Sequence, residues 1–125
     1  MDIIISNASD KPIYEQITSQ IKNMILTGRL KTGDSLPSMR FLAKELRISV
    51  ITTKRAYEDL ERDGVIESVV GKGSFVSCQS TEFIREEHLR MTEEHLQKAI
   101  NTARMSGISL EELIEIVTML YKEEG

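Results

Sequence analysis

Residues 37–76 read PSMRFLAKELRISVITTKRAYEDLERDGVIESVVGKGSFV, and this run decides the fold. Its first part sets Met39, Leu42, Ala43 and Leu46 at the spacing of one helical face. Arg47-Ile48-Ser49 interrupts that pattern. Ser49 suits the start of a new helix, because its hydroxyl can accept from the free N–H groups of the first turn. In that helix Thr53, Ala56, Tyr57 and Leu60 form the inward stripe, and Gly64 suits the left-handed position past its end. Two helices with a turn of about three residues are what a helix-turn-helix requires. Val65–Val70 and Ser74–Ser77 then supply two strand-forming runs around Gly71-Lys72-Gly73, the expected loop of a hairpin. A hairpin directly behind a helix-turn-helix is a wing.

Upstream, Pro12 suits the first position of a helix, where its missing N–H costs nothing. Tyr14, Ile17, Ile21, Met24 and Ile25 continue at helical spacing, and Gly28 supplies the stop. Leu30–Ser35 reads as a polar turn. Downstream of Ser80 the composition becomes Glu-rich and helical. One stripe runs through Leu89, Leu96, Ala99, Ile100 and Ala103 to a stop at Gly107. Ser109-Leu110-Glu111-Glu112 has the form of a capping box. A second stripe follows in Leu110, Leu113, Ile114, Val117, Leu120 and Tyr121. Two such helices cannot bury both stripes alone, so they either fold back on the winged domain or meet a partner. A second copy of the chain is the expected partner. The expected architecture is therefore mainly α with a small β-hairpin wing: a winged helix-turn-helix over residues 10–78 and a two-helix dimerisation region over residues 79–125.

The formal net charge of −4 argues against nucleic acid only until its distribution is read. Residues 1–30 are neutral, residues 31–77 carry +1, and residues 78–125 carry −5. Within the middle part, Leu46–Tyr57 holds Arg47, Lys54 and Arg55 and no acid, while Glu58, Asp59, Glu61 and Asp63 follow at once. That polarity suits a helix offering its first turns to phosphates.

Other classes find little support. The acidic Asp2 and the short apolar run Ile3–Ile5 do not make a signal peptide, and no stretch approaches a membrane span. Cys78 is the only cysteine, so a reducing, cytoplasmic setting is expected, with Cys78 as a small packed residue. His88 and His95 lie seven apart among glutamates, an arrangement more common on a solvated helix face than around a metal. No phosphate loop, dinucleotide fingerprint or paired nucleophile and base occurs, so neither an enzyme nor a cofactor is expected.

Pro37-Ser38-Met39-Arg40-Phe41-Leu42-Ala43, Ile48-Ser49, Thr52-Thr53, Ala56-Tyr57, Leu60, Gly64 and Gly71-Lys72-Gly73-Ser74-Phe75-Val76 resemble the DNA-binding domain of the GntR family of bacterial regulators. Pro12-Ile13-Tyr14-Glu15-Gln16-Ile17 matches that family's first helix, so the resemblance covers about residues 10–78. The short two-helix tail is similar to the YtrA branch and is shorter than the effector domains of other branches. The resemblance implies a dimeric repressor of palindromic operator DNA, and for this branch often an operon encoding an ABC transporter.

The implied DNA contacts are Ser38, Arg40, Ser49, Val50, Ile51, Thr52, Lys54, Arg55, Gly71, Lys72 and Gly73. Arg40 can reach a phosphate or fork onto guanine, with a salt bridge to an acid such as Glu61 as its alternative. Ser38 and Ser49 can cap their helices and donate to phosphate. Lys54 suits a phosphate, as a point charge without a fork. Arg55 fits a contact or a solvated face equally. Lys72 between two glycines can enter a minor groove or remain a turn lysine. Val50-Ile51 departs from the family, where arginine often follows this serine; an aliphatic pair can meet thymine methyls but cannot read guanine. Two alternatives stay open. One is a protein-binding adaptor built on the same fold. The other is a regulator gated by a small effector of unknown identity, with Ile100, Met105, Met119 and Tyr121 lining its site.

Overall fold

The computed structural model describes residues 1–123. Its elements run α1 (Ile13–Leu26), α2 (Met39–Leu46), α3 (Val50–Arg62), β1 (Ile66–Val69), β2 (Gly73–Val76), α4 (Ser80–Met105) and α5 (Leu110–Glu123). The chain divides into two compact units, Met1–Arg85 and a second beginning at Glu86. No described helix is long and apolar enough to cross a membrane.

In the first unit the expected stripes converge. Ile17, Ile21 and Ile25 of α1, Leu42 of α2, and Ala56 and Leu60 of α3 are essentially excluded from water. Each large aliphatic side chain so buried contributes about 1.5–3 kcal/mol. Val65, Ile66 and Val76 bring the base of the hairpin into the same core. Pro12 lies one position earlier than expected: it is the N-cap, and its carbonyl accepts from the Glu15 and Gln16 N–H groups.

The hairpin is antiparallel, pairing Ile66 with Val76 and Val69 with Gly73. Its loop is shifted by one residue from the expected position, to Val70-Gly71-Lys72, with Gly73 inside β2. The reason is the turn. The Lys72 N–H donates to the Val69 carbonyl, and this places Gly71, at φ +78°, where a four-residue turn requires positive φ. The polar turn before α2 also does more than connect. Gly33 and Leu36 donate to the carbonyls of Val76 and Ser74, and Val76 donates to that of Asp34, so this segment pairs along the free edge of β2.

The N-terminal lead belongs to this core as well, which its composition did not announce. Ile3 is buried, and two glutamines of α1 hold the lead in place. The Gln20 side chain accepts from the Ile4 N–H and donates to the Ile4 carbonyl, while Gln16 does the same for Ser6.

In the second unit α4 ends at Met105, and Gly107, at φ +71°, turns the chain toward α5. The capping box closes as expected: Glu112 N–H donates to the Ser109 hydroxyl, and the Glu112 carboxylate accepts from Ser109. Ala103 is buried and Ile100, Ile108 and Leu113 are half-buried between the two helices, yet no described residue of α5 is fully buried.

Candidate nucleic-acid interface

Both helices of the helix-turn-helix start on a serine cap. The Ser38 hydroxyl accepts from the Phe41 N–H at 3.1 Å, and the Ser49 hydroxyl from Ile51 and Thr52 at 3.0 and 3.4 Å. Between them Arg47 ends α2 in the left-handed region, at φ 56° and ψ 47°, and the Ile48 N–H closes back onto the Ala43 carbonyl. Thr53, fully buried, donates its hydroxyl to the Ser49 carbonyl. Tyr57 donates its hydroxyl to the Pro37 carbonyl at 2.7 Å. Burial pushes the Tyr57 hydroxyl well above the usual phenol range, since a phenolate there would lose its water. The turn is thus clamped from the core side, leaving the opposite side open.

On that open side stand Arg40, Val50, Ile51 and Lys54, all exposed, with Thr52 half-buried beside them. Arg40 makes no ion pair among the described residues, so the bridge to Glu61 does not form. Lys54 lies 3.9 Å from Glu58 with both side chains largely in water, a contact worth little. Arg55 has a definite partner: its guanidinium lies over the Tyr14 ring of α1, 3.8 Å from the centroid. The first turn of α3 carries no acid, so the positive end of the helix dipole is not offset there. Gly71, Lys72 and Gly73 are exposed at the tip of the wing.

Arg47, which is not among the contacts the family resemblance implies, is exposed and unpaired among the described residues at the turn between the two caps. The acid-free stretch Leu46–Tyr57 was the signal that pointed to it.

In the second unit Leu89, Leu96, Leu110, Ile114, Val117, Leu120 and Tyr121 are exposed, while Ile100 and Leu113 are half-buried. A cavity of about 230 Å³ is lined by Ile100, Ala103, Arg104, Ile108, Leu110 and Leu113. Of the four residues expected around an effector, only Ile100 reaches it; Met105, Met119 and Tyr121 stand in water. Cys78 is exposed rather than packed, because it falls just past the strand that Val76 anchors. His88 and His95 are exposed, and no group of three or more potential metal ligands gathers among the described residues.

A tri-helical core, a helix-turn-helix and a hairpin behind it define a winged-helix DNA-binding domain. The sequence pattern of the family described as bacterial regulatory proteins, gntR family, matches residues 13–76, and the chain belongs to this GntR family of transcriptional regulators. It is 40% identical over 113 residues to the HTH-type transcriptional repressor YtrA of Bacillus subtilis (strain 168), covering 90% of this chain and 87% of that one. A transcriptional regulator from Oenococcus oeni has a similar structure, with a TM-score of 0.69, 28% identity, and coverage of 94% and 97% of the two chains. The DNA-binding domain of AraR, solved in complex with operator ORX1, matches 62% of this chain and 96% of its own at 25% identity and a TM-score of 0.54. The chain is a DNA-binding regulator of the YtrA-like kind.

Proposed function

We infer that this protein is a homodimeric repressor. It lays two copies of α3 into successive major grooves of an imperfect palindrome, with the wings over flanking minor grooves. The observation that carries the repressor reading is the similarity to YtrA along nearly the whole of both chains. A bound dimer blocks access of polymerase to the promoter. The resemblance to the same branch supports an operon encoding an ABC transporter as the target, and the single cysteine supports a cytoplasmic location.

The interface is assigned to residues 10–78. Arg40 reaches a phosphate or a guanine, and Arg47 and Lys54 reach phosphates. Val50, Ile51 and Thr52 face base edges, and Ser38 and Ser49 add donors at the backbone. Arg55, its flat face engaged by Tyr14, reaches phosphate with its edge N–H groups. Gly71-Lys72-Gly73 approaches the minor groove. Residues 79–125 hold the dimer together: α5 buries no described residue fully in a single chain, and pairing the stripe from Leu110 to Tyr121 with a second copy removes that apolar surface from water.

A gel-shift assay on the upstream region of the protein's own operon tests the reading. A specific shift that weakens steeply with added salt is expected, because phosphate contacts release counterions. No specific shift there or on a selected palindrome refutes it and favours the protein-adaptor use of the fold. The cavity beside Ala103 supports a second reading, effector control. A small molecule that raises the melting temperature and lowers operator affinity together identifies it.

A further inference from the structure

We propose that the base readout made by α3 rests on thymine 5-methyl groups gathered by Val50 and Ile51 in the major groove. The proposal deepens the DNA-binding reading and rests on it. Val50 and Ile51 are the first two residues of α3, directly behind the Ser49 cap. Ile51 keeps 80% of its surface in water and Val50 keeps 45%. Neither belongs to the core stripe, which in this helix is Thr53, Ala56, Tyr57 and Leu60.

Two β-branched aliphatics on an exposed first turn lower helix propensity, and Ile51, the more exposed of the two, gains little from burial. They are framed by cations rather than by a polar rim of mixed sign. Arg40, Arg47 and Lys54 are exposed around the turn, and the first turn of α3 holds no acid. That charge pattern complements a polyanion. The apolar group that duplex DNA offers in its major groove is the methyl on C5 of thymine.

The competing route, hydrogen bonding to guanine from α3, lacks its instrument. Arg55 is the one forked donor in the first two turns of that helix; its guanidinium is held over the Tyr14 ring of α1, 3.8 Å from the centroid, and its N–H edge is the one assigned to phosphate. Lys54 carries a point charge with Glu58 beside it. Between Ser49 and Lys54, discrimination falls to the two aliphatic side chains, helped by the Thr52 hydroxyl.

The test uses the full chain and an operator selected from a randomised duplex library. Affinity is measured for that duplex and for one with deoxyuridine replacing thymine throughout both half-sites. The same pair is then measured with a Val50→Ala/Ile51→Ala variant, whose changes lie on the surface. The wild type should lose roughly fourfold in Kd per contacted methyl, the transfer energy of one buried CH2 group. The variant should bind both duplexes about equally, with the coupling between methyl and side chain read as a double-mutant cycle. Equal wild-type affinities for the two duplexes overturn the proposal while leaving operator binding intact. A deoxyuridine penalty undiminished in the variant also overturns it, assigning the effect to other residues or to DNA shape. Failure to select any sequence overturns the operator-binding reading itself, a separate result.

Discussion

The hydroxyl of Tyr57, on α3, donates to the carbonyl of Pro37, just ahead of α2, at 2.7 Å across the inner side of the helix-turn-helix. The bond joins the start of one helix to the middle of the other, so it sets how far the two caps can separate. Tyr57→Phe removes the donor and leaves a shielded carbonyl unpaired. It should lower unfolding free energy by about 1–2 kcal/mol, measured by denaturant titration, with the fold retained.

The same residue makes stability depend on alkaline pH. In the folded state burial holds the phenol protonated above its ordinary value of 10.0, whereas in the unfolded chain it ionises at that value. The unfolded state therefore binds fewer protons above this pH, and stability falls as pH rises through it. Below it the contribution is fully present. Urea midpoints taken across the alkaline range should fall more steeply for the wild type than for Tyr57→Phe. Parallel slopes would contradict the linkage.

Arg47 sits at φ 56°, a conformation that costs a residue with a Cβ roughly 1 kcal/mol and costs glycine almost nothing. Arg47→Gly should therefore be more stable than Arg47→Ala by about that amount in thermal melts. Both variants should bind operator more weakly and with a shallower salt dependence, since each removes the phosphate contact proposed for Arg47. Full operator affinity in Arg47→Gly would confine the arginine to a structural role.

Arg40→Ala should weaken operator binding by about 1–3 kcal/mol and leave the melting temperature near that of the wild type. The side chain is exposed and makes no ion pair among the described residues, so its loss should cost the fold little. Fluorescence anisotropy and circular dichroism separate the two effects. Unchanged affinity would mean that α2 is held away from the duplex.

Leu120→Glu introduces a charge on the exposed apolar stripe of α5. Sedimentation equilibrium should show a shift from dimer to monomer, and operator affinity should fall because the two half-sites are no longer bound as one unit. Near-native helix content in the variant confirms that the loss is one of association. A variant that stays dimeric places the interface elsewhere.

Much of this protein was legible in residues 37–76 before any coordinates. Hydrophobic spacing located α2 and α3, Ser38 and Ser49 located their starts, and Gly64 located the end of α3. These signals are local, carried by capping and periodicity, which act within a few residues along the chain. Ile3 and Gln20 were not legible in the same way. The Gln20 side chain holds the Ile4 backbone across sixteen residues, and the burial of Ile3 depends on how the lead lies along α1. The stacking of Arg55 on Tyr14, the alignment of the Gly33–Leu36 segment with β2 and the exposure of Cys78 likewise arise between elements. Residues 37–76 by themselves determined the winged helix and the acid-free turn between its two serine caps. Tertiary packing decided which side chains on that turn remain free, because a guanidinium captured by a neighbouring ring and an isoleucine left in water differ only in what the other helices place beside them.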